Sequence, residues 1–374
     1  MNGSVYHVRG VVLPDDVERD VFVVGGRLEL QAPGGGPEPE SVLLEGFVVP
    51  GLVDAHAHLA LSSPAPDGAS AEEVARASAL AQLEAGVLAL REPASSTVPS
   101  LGVGPAAGLP RTVVAGRFLS APGRYFPGIA VEVEPEGLPA AALEQLAVSR
   151  AWVKVVGDWV DPADGVWKPT FPPEALAATA AAVHGAGGRL AIHAADRDAI
   201  EAAIDAAFDS IEHGLGATAG QLERMAAAGI ALTPTMTAVS GFWTGLIQIV
   251  GSPLSEVERA ARAVERHPAM VRAAAEAGVR LLAGTDNGVV PHGAIAGEIQ
   301  RLIAAGVPPG RAVGAGSWDA RAFLGFPGIE AGAPADLVAF EEDPREDPTT
   351  LGRPSLIMLD GRIVRDPRSP QPAR

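Results

Sequence analysis

Apolar residues follow two different rhythms along this chain. Residues 1–50 hold three strand-like runs, VYHVRGVVL, DVFVVGGRLEL and SVLLEGFVV, separated by Gly- and Pro-rich spacers such as APGGGPEPE. Near the other end ADLVAFEED, SLIMLDGR and RIVRD read the same way. The two ends, 1–50 and 325–374, are therefore expected to pair into one small β-sandwich domain. Between them, over 51–324, the rhythm changes. Short apolar runs come first: GLVDAHAH, GVLALRE, RTVVAGRFL, WVKVVGD, RLAIHAAD, FDSIEHG, IALTPTM and VRLLAGTD. Most are followed by Ala-rich stretches of helical period, such as SAEEVARASALAQLEAG, PEALAATAAAVHGAG and DAIEAAIDAAF. Eight such units predict an α/β fold, a (β/α)8 TIM barrel. An open doubly wound sheet is the alternative. In a barrel, functional residues belong at the C-terminal ends of strands, and the unusual polar residues of this chain fall there.

Composition narrows the class. The chain has 374 residues, 47% of them hydrophobic, enough for a large core. No apolar run is long enough for a membrane span, the N-terminus lacks a secretory pattern, and there is no cysteine. A cytoplasmic protein without disulfides or thiolate metal ligands is expected. The net charge of -17 argues against nucleic acid as a partner. A small-molecule substrate is expected, with no membrane partner; a homo-oligomer is compatible. Of 28 basic residues only Lys154 and Lys168 are lysines. Both merit a reason for being there.

The first strand of the middle region ends Asp54-Ala55-His56-Ala57-His58. Residues two apart share a face of a strand, so both imidazoles can reach one metal ion, and Asp54 has the same parity. Lys154 sits inside the apolar run Trp152–Val156. A buried ammonium is costly. Either it pairs with an acid, or its amine has reacted with CO2 to give a carbamate that bridges two cations, which an arginine cannot do. His193 and His213 each end an apolar strand. Nitrogen ligands with a carboxyl-type oxygen suit zinc or a similar divalent ion. Asp286 closes LLAGTD, where small residues permit close approach. It serves either as a helix N-cap or as a carboxylate shuttling protons. His7, His184 and His267 read as structural. Arg124, Tyr125, Trp159, Trp167, Arg197 and His292 lie after strand ends and are candidate substrate contacts, the arginines for a carboxylate.

These motifs together resemble the amidohydrolase superfamily, specifically its binuclear-metal members of imidazolonepropionase-like and Xaa-Pro dipeptidase-like type. VPGLVDAHAH, WVKVV, IHA, SIEHG, LLAGTDNG and GIEAGAPADLVAFEEDP carry the resemblance nearly end to end. It implies a (β/α)8 barrel with a terminal β-sandwich. It implies that His56, His58 and Asp286 hold one divalent metal, zinc being the expected ion, and that His193 and His213 hold a second. N6-carboxylysine at Lys154 would bridge them, together with a hydroxide. Two loops depart from the family pattern. Arg91-Glu92-Pro93-Ala94 stands where relatives have Arg-Asp and glycines, and Ala121–Phe126 where they have Gly-Gly-His. Both line the expected pocket.

The implied activity is metal-dependent hydrolysis of a C–N amide bond in a cyclic amide, an N-acyl amino acid or a dipeptide, with Asp286 and Lys154 catalytic. Three alternatives stand beside it: a mononuclear ring deaminase, a phosphotriester or lactone hydrolase using the same two-metal centre, and an inactive assembly-forming relative.

Overall fold

The computed structural model describes residues 5–32, 40–61, 68–249 and 251–366. Most of the APGGGPEPE spacer lies outside them. Strands β1 (Tyr6–Val12), β2 (Val17–Val24), β3 (Arg27–Glu29) and β4 (Glu40–Pro50) open the chain. β1 runs antiparallel to β2 and parallel to β4.

The middle of the chain is α/β with parallel strands. β5 (Leu52–Asp54), β6 (Val87–Glu92) and β7 (Arg111–Val114) make one parallel sheet. Gly116, with φ 73°, breaks RTVVAGRFL after β7, so the run splits into two strands. A second parallel sheet begins there, with β8 (Phe118–Ser120), β9 (Val131–Glu132) and β10 (Trp152–Val156). An antiparallel hairpin, β11 (Asp158–Val160) with β12 (Trp167–Pro169), interrupts it. It continues with β13 (Arg189–Ala194), β14 (Ser210–His213), β15 (Ala231–Thr233) and β16 (Arg280–Leu281), in the order β16-β15-β14-β13-β10-β8-β9. Hydrogen bonds join the two sheets at both edges. Ala55 N donates to Ala283 O at 2.9 Å and Asp286 N to His56 O at 2.7 Å; on the other side Ser95 N, just past β6, donates to Gly116 O at 3.1 Å, in the short link between β7 and β8.

Alternation along β10 explains the interior. Val153 and Val155 pack outward in a cluster with residues of α2 (Leu138–Ser149) and α3 (Pro173–Gly185), including Leu146 and Val183. Trp152 turns the other way, into a cluster of small side chains from other strands: Val53, Ala55, Ala89, Ala191 and Ala231. Lys154 shares Trp152's parity.

Among the described residues three α-helices open on side-chain caps. Ser70 and Glu73 form a capping box at α1 (Ala71–Glu84), and Asp196 caps α4 (Arg197–Asp205). α5 (Ala219–Ala228) opens on a second box, Thr218 with Gln221. Two further helices follow β15: α6 (Met236–Ile249), which the sequence pattern did not single out, and the long α7 (Leu254–Glu276). After β16 come α8 (Ile295–Ala304), α9 (Pro309–Ala315) and α10 (Trp318–Leu324). Among the described residues no helix is long and apolar enough to cross a membrane.

The chain then returns as β17 (Leu337–Phe340), β18 (Leu356–Leu359) and β19 (Arg362–Arg365). Both ends of the chain thus contribute to one seven-stranded sheet, β19-β18-β17-β4-β1-β2-β3. Leu28 N donates to Ala333 O at 2.8 Å, so the β3 edge curls back to the segment that leads into β17. Val8, Val21, Val48, Leu337 and Met358 fill the interior of the roll. Where two packed sheets were expected, the hydrogen bonding is that of a single sheet rolled on itself.

Candidate metal centre

All six residues singled out as ligands line one cavity of about 440 Å³. His56 and His58 follow β5, Lys154 lies in β10, His193 in β13 and His213 ends β14. Asp286 follows β16. It is not a helix cap, because the next helix begins at Ile295 with Ala294 at its cap.

The histidines are oriented by bonds on the far side of their rings. His58 Nδ1 donates to Ala94 O at 2.7 Å, and His56 Nδ1 to Glu212 Oε2 at 2.6 Å. His213 Nδ1 shares a 2.7 Å bond with Thr235 Oγ1. This fixes which nitrogen faces the cavity, as metal-binding imidazoles require. The Nε2 atoms of His56 and His58 lie 3.4 and 3.2 Å from Asp286 Oδ1. These three side chains offer ligand atoms all within 4.8 Å of one another. The His193 and His213 rings meet edge to face, 4.6 Å between centroids.

Charge explains why this cluster holds together. Burial alone would raise the Glu212 carboxyl, but Arg91, Lys154 and His56 together hold it well below its ordinary range. Asp286 behaves alike: burial is outweighed by His56 and His58, and the group stays ionised. Burial and the charge of Lys154 push His193 down to about 3. Burial and His193 push His213 well below its usual value. Both imidazoles are therefore neutral, the form that ligates.

Lys154 has no hydrogen-bond partner, although its amine is buried. Among the described residues it makes no close ion pair either, although Glu212, Asp286 and Asp158 lie near enough to act on its charge. Burial lowers it to about 8. The other lysine, Lys168, bonds Asp164 at 2.7 Å and Asp161 at 3.0 Å on the β11–β12 hairpin. The donor set fits divalent cations: a buried amine and a His193 Nε2 that both lack a hydrogen bond, and the converging His56–His58–Asp286 group.

The proposed substrate contacts divide. Tyr125 and Trp159 line the cavity. Trp167 sits behind Trp159, 5.0 Å between ring centroids. Arg124 is turned to structural use: its guanidinium donates to Trp159 O and Lys168 O, both at 3.1 Å, and so pins the hairpin. Arg197 is 67% exposed and pairs with its neighbour Asp198, because it opens α4 on the surface. His292 lies outside the cavity lining, with Nδ1 3.5 Å from Gln82 Nε2. His7 pairs with Asp20 and His184 with Asp209, as structural residues would. His267 is also structural, yet it bonds His213 O at 3.1 Å and so backs the strand end.

Sequence reasoning placed Asp54 beside the ligands but missed the Arg91–Glu212 pair behind them. Arg91 donates to both oxygens of Glu212, at 2.8 and 2.9 Å, and to Ala55 O at 2.8 Å. Asp54 accepts from Thr285 Oγ1 at 2.6 Å and from Gln82 at 2.9 Å. The available signal was a charged residue inside each of two apolar strands, GVLALRE and SIEHG. Four non-glycine residues here have positive φ: Ala94 (147°), His213 (72°), Thr235 (46°) and Asp286 (56°). Each costs on the order of 1–3 kcal/mol and points to a backbone held for its site. Gly284 allows His56 to sit close, since a Cβ there would lie 2.7 Å from His56 Cβ.

Comparison with known proteins places the chain. Residues 47–364 match the family model described as Amidohydrolase family. A curated protein of Mycobacterium tuberculosis (strain ATCC 25618 / H37Rv), itself uncharacterized, is 38% identical over 358 residues, 95% of each chain. Among solved structures, a Xaa-Pro dipeptidase with bound methionine in the active site is similar at a TM-score of 0.81 and 21% identity, covering 97% of this chain and 100% of that one. The A. niger ochratoxinase reaches 0.81 at 18% identity, covering 99% and 98%.

Proposed function

The chain belongs to the amidohydrolase family and is a hydrolase of carbon–nitrogen bonds, and from that premise we propose that it cleaves amides at a two-metal centre held by His56, His58, Lys154, His193, His213 and Asp286. The observation that carries this reading is the convergence of those six side chains on one cavity, with a buried, unpartnered amine among them. The same reading takes the parallel strands as one (β/α)8 barrel over 51–324, with 1–50 and 325–374 as a small β domain. The hydrogen bonds that join the two parallel sheets at both edges support it.

Bound divalent ions, zinc by ligand chemistry, would acidify a water and polarise the scissile carbonyl. The chain's own residues do the rest. Asp286, ionised, takes the proton of the attacking water and returns it to the leaving nitrogen. Glu212 and Arg91 keep His56 in register. Lys154 has the low basicity that carbamate formation with CO2 requires, and the carbamate would supply a second anionic ligand beside Asp286. Tyr125 stays protonated: burial and the negative charge of Asp286 both raise its phenol. It is the neutral O–H donor in the cavity wall suited to a carbonyl oxygen gaining charge. Tyr125→Phe is expected to lower kcat by about 10²-fold with a smaller change in KM, measured by steady-state kinetics. A KM effect alone would reassign it to plain binding.

Metal stoichiometry tests the centre. We expect two divalent ions per wild-type chain and at most one in Lys154→Met, with chelated wild-type protein regaining turnover on adding zinc. Growth with isotopically labelled bicarbonate should give a carbamate carbon signal that Lys154→Met lacks. One ion per chain and no carbamate would favour the mononuclear deaminase; full turnover after exhaustive chelation would end the metal reading.

A further inference from the structure

Above its polar floor the cavity is walled by hydrocarbon. Phe118, Tyr125 and Phe126 come from the segment that begins at β8, Trp159 from the hairpin, and Phe242 and Trp243 from α6. Tyr125 packs on Trp159 with 4.8 Å between centroids, and Phe126 on Trp159 at 4.9 Å, so the rings form a continuous wall. Among the described lining residues there is no arginine, and the single lysine is Lys154. The two arginines with the right sequence position are committed elsewhere: Arg124 inside the hairpin, Arg197 on the surface.

Helix α6 is held in place to present this wall. The buried carboxylate of Glu298 accepts from Met236 N and Thr237 N, both at 2.8 Å, and from Thr237 Oγ1 at 2.6 Å. It thereby satisfies the free N–H groups that begin the helix. Ala238, Phe242, Trp243 and Leu246 then face the cavity.

A substrate carboxylate set in that wall, away from the cations the polar floor would hold, would lose its hydration and find no guanidinium or ammonium in exchange. Taking a carboxylate out of water without a partner is among the most costly transfers in a protein. An apolar or aromatic group gains instead, roughly 25 cal/mol for each Å² buried.

We propose that the substrate is an uncharged amide bearing an aromatic or bulky apolar group, with no free carboxylate next to the scissile bond. This deepens the hydrolase reading and rests on it, because it takes Lys154 as the carbamate. Of the three substrate classes the sequence suggested, it selects cyclic or otherwise neutral amides over dipeptides and N-acyl amino acids.

A matched set tests it: N-(2-phenylethyl)benzamide, N-benzoylphenylalanine, which adds only the carboxylate, and N-benzoylphenylalanine methyl ester, which restores neutrality with more bulk. Binding to the full-length protein is read by quenching of tryptophan fluorescence, since Trp159 and Trp243 line the cavity. Hydrolysis is followed separately. The neutral amide and the ester are expected to bind about tenfold or more tightly than the acid, and to be cleaved with the same order in kcat/KM if cleaved. Equal or tighter binding of the acid overturns the proposal. An ester as weak as the acid overturns it too, because size rather than charge would then exclude both. If the binding order holds but no member of the set is cleaved, the cavity's exclusion of a carboxylate stands and the two-metal amide cleavage proposed above fails.

Discussion

Replacing Asp286 with asparagine is expected to cut kcat by about 10³-fold or more while the protein stays folded. The substitution keeps shape and backbone. Asparagine tolerates the positive φ at this position, and the 2.7 Å bond from its N–H to His56 O is a main-chain contact. What disappears is charge and basicity. His56 and His58 hold the Asp286 carboxylate ionised, so it can receive a proton from water and pass it on; a carboxamide cannot. The expected signature is a collapse in kcat with an unchanged circular dichroism spectrum and at least one metal ion retained. A variant within tenfold of wild type would remove Asp286 from the proton path.

The second large effect concerns stability. Arg91→Met should destabilise the protein by about 3–5 kcal/mol, because it strands the Glu212 carboxylate in a site where both partners are fully buried. Arg91 also supports Ala55 O and lies over the Trp152 ring, 4.8 Å from its centroid. Denaturant titration measures the loss. The double substitution Arg91→Met with Glu212→Leu supplies the control: replacing a buried pair by apolar groups of similar volume is often nearly neutral. Stability should largely return, whereas His56 loses its orienting carboxylate and activity should not. A single Arg91→Met as stable as wild type would mean that the pair carries no net weight.

What could be read in the sequence followed from local chemistry. The α/β class was legible because apolar runs of strand length alternate with Ala-rich stretches of helical period. The family was legible because histidines at strand ends and a buried lysine make a rare combination in a chain with two lysines. The rest depends on contacts that no local pattern encodes. Arg91 and Glu212 meet across 121 positions. Strand alternation faces Glu212 and His213 oppositely, and only the positive φ of His213 turns both toward His56. Arg124 sat where a carboxylate clamp would, but three-dimensional packing gave its guanidinium carbonyl partners in the hairpin. Helix α6 passed unnoticed because MTAVSGFWTGLIQI has no charged residue to mark a solvent face, and its two glycines and two threonines weaken the helical signal.

The rolled terminal sheet also sets a timetable for synthesis. β4 needs β1 on one edge and β17 on the other, and Pro50 is matched with Leu337 across the second pair. At roughly 5–20 residues per second a ribosome takes some tens of seconds to travel between them. Throughout that interval the SVLLEGFVV strand has a bare edge, the kind that recruits foreign strands. Growth conditions that slow translation lengthen this exposure.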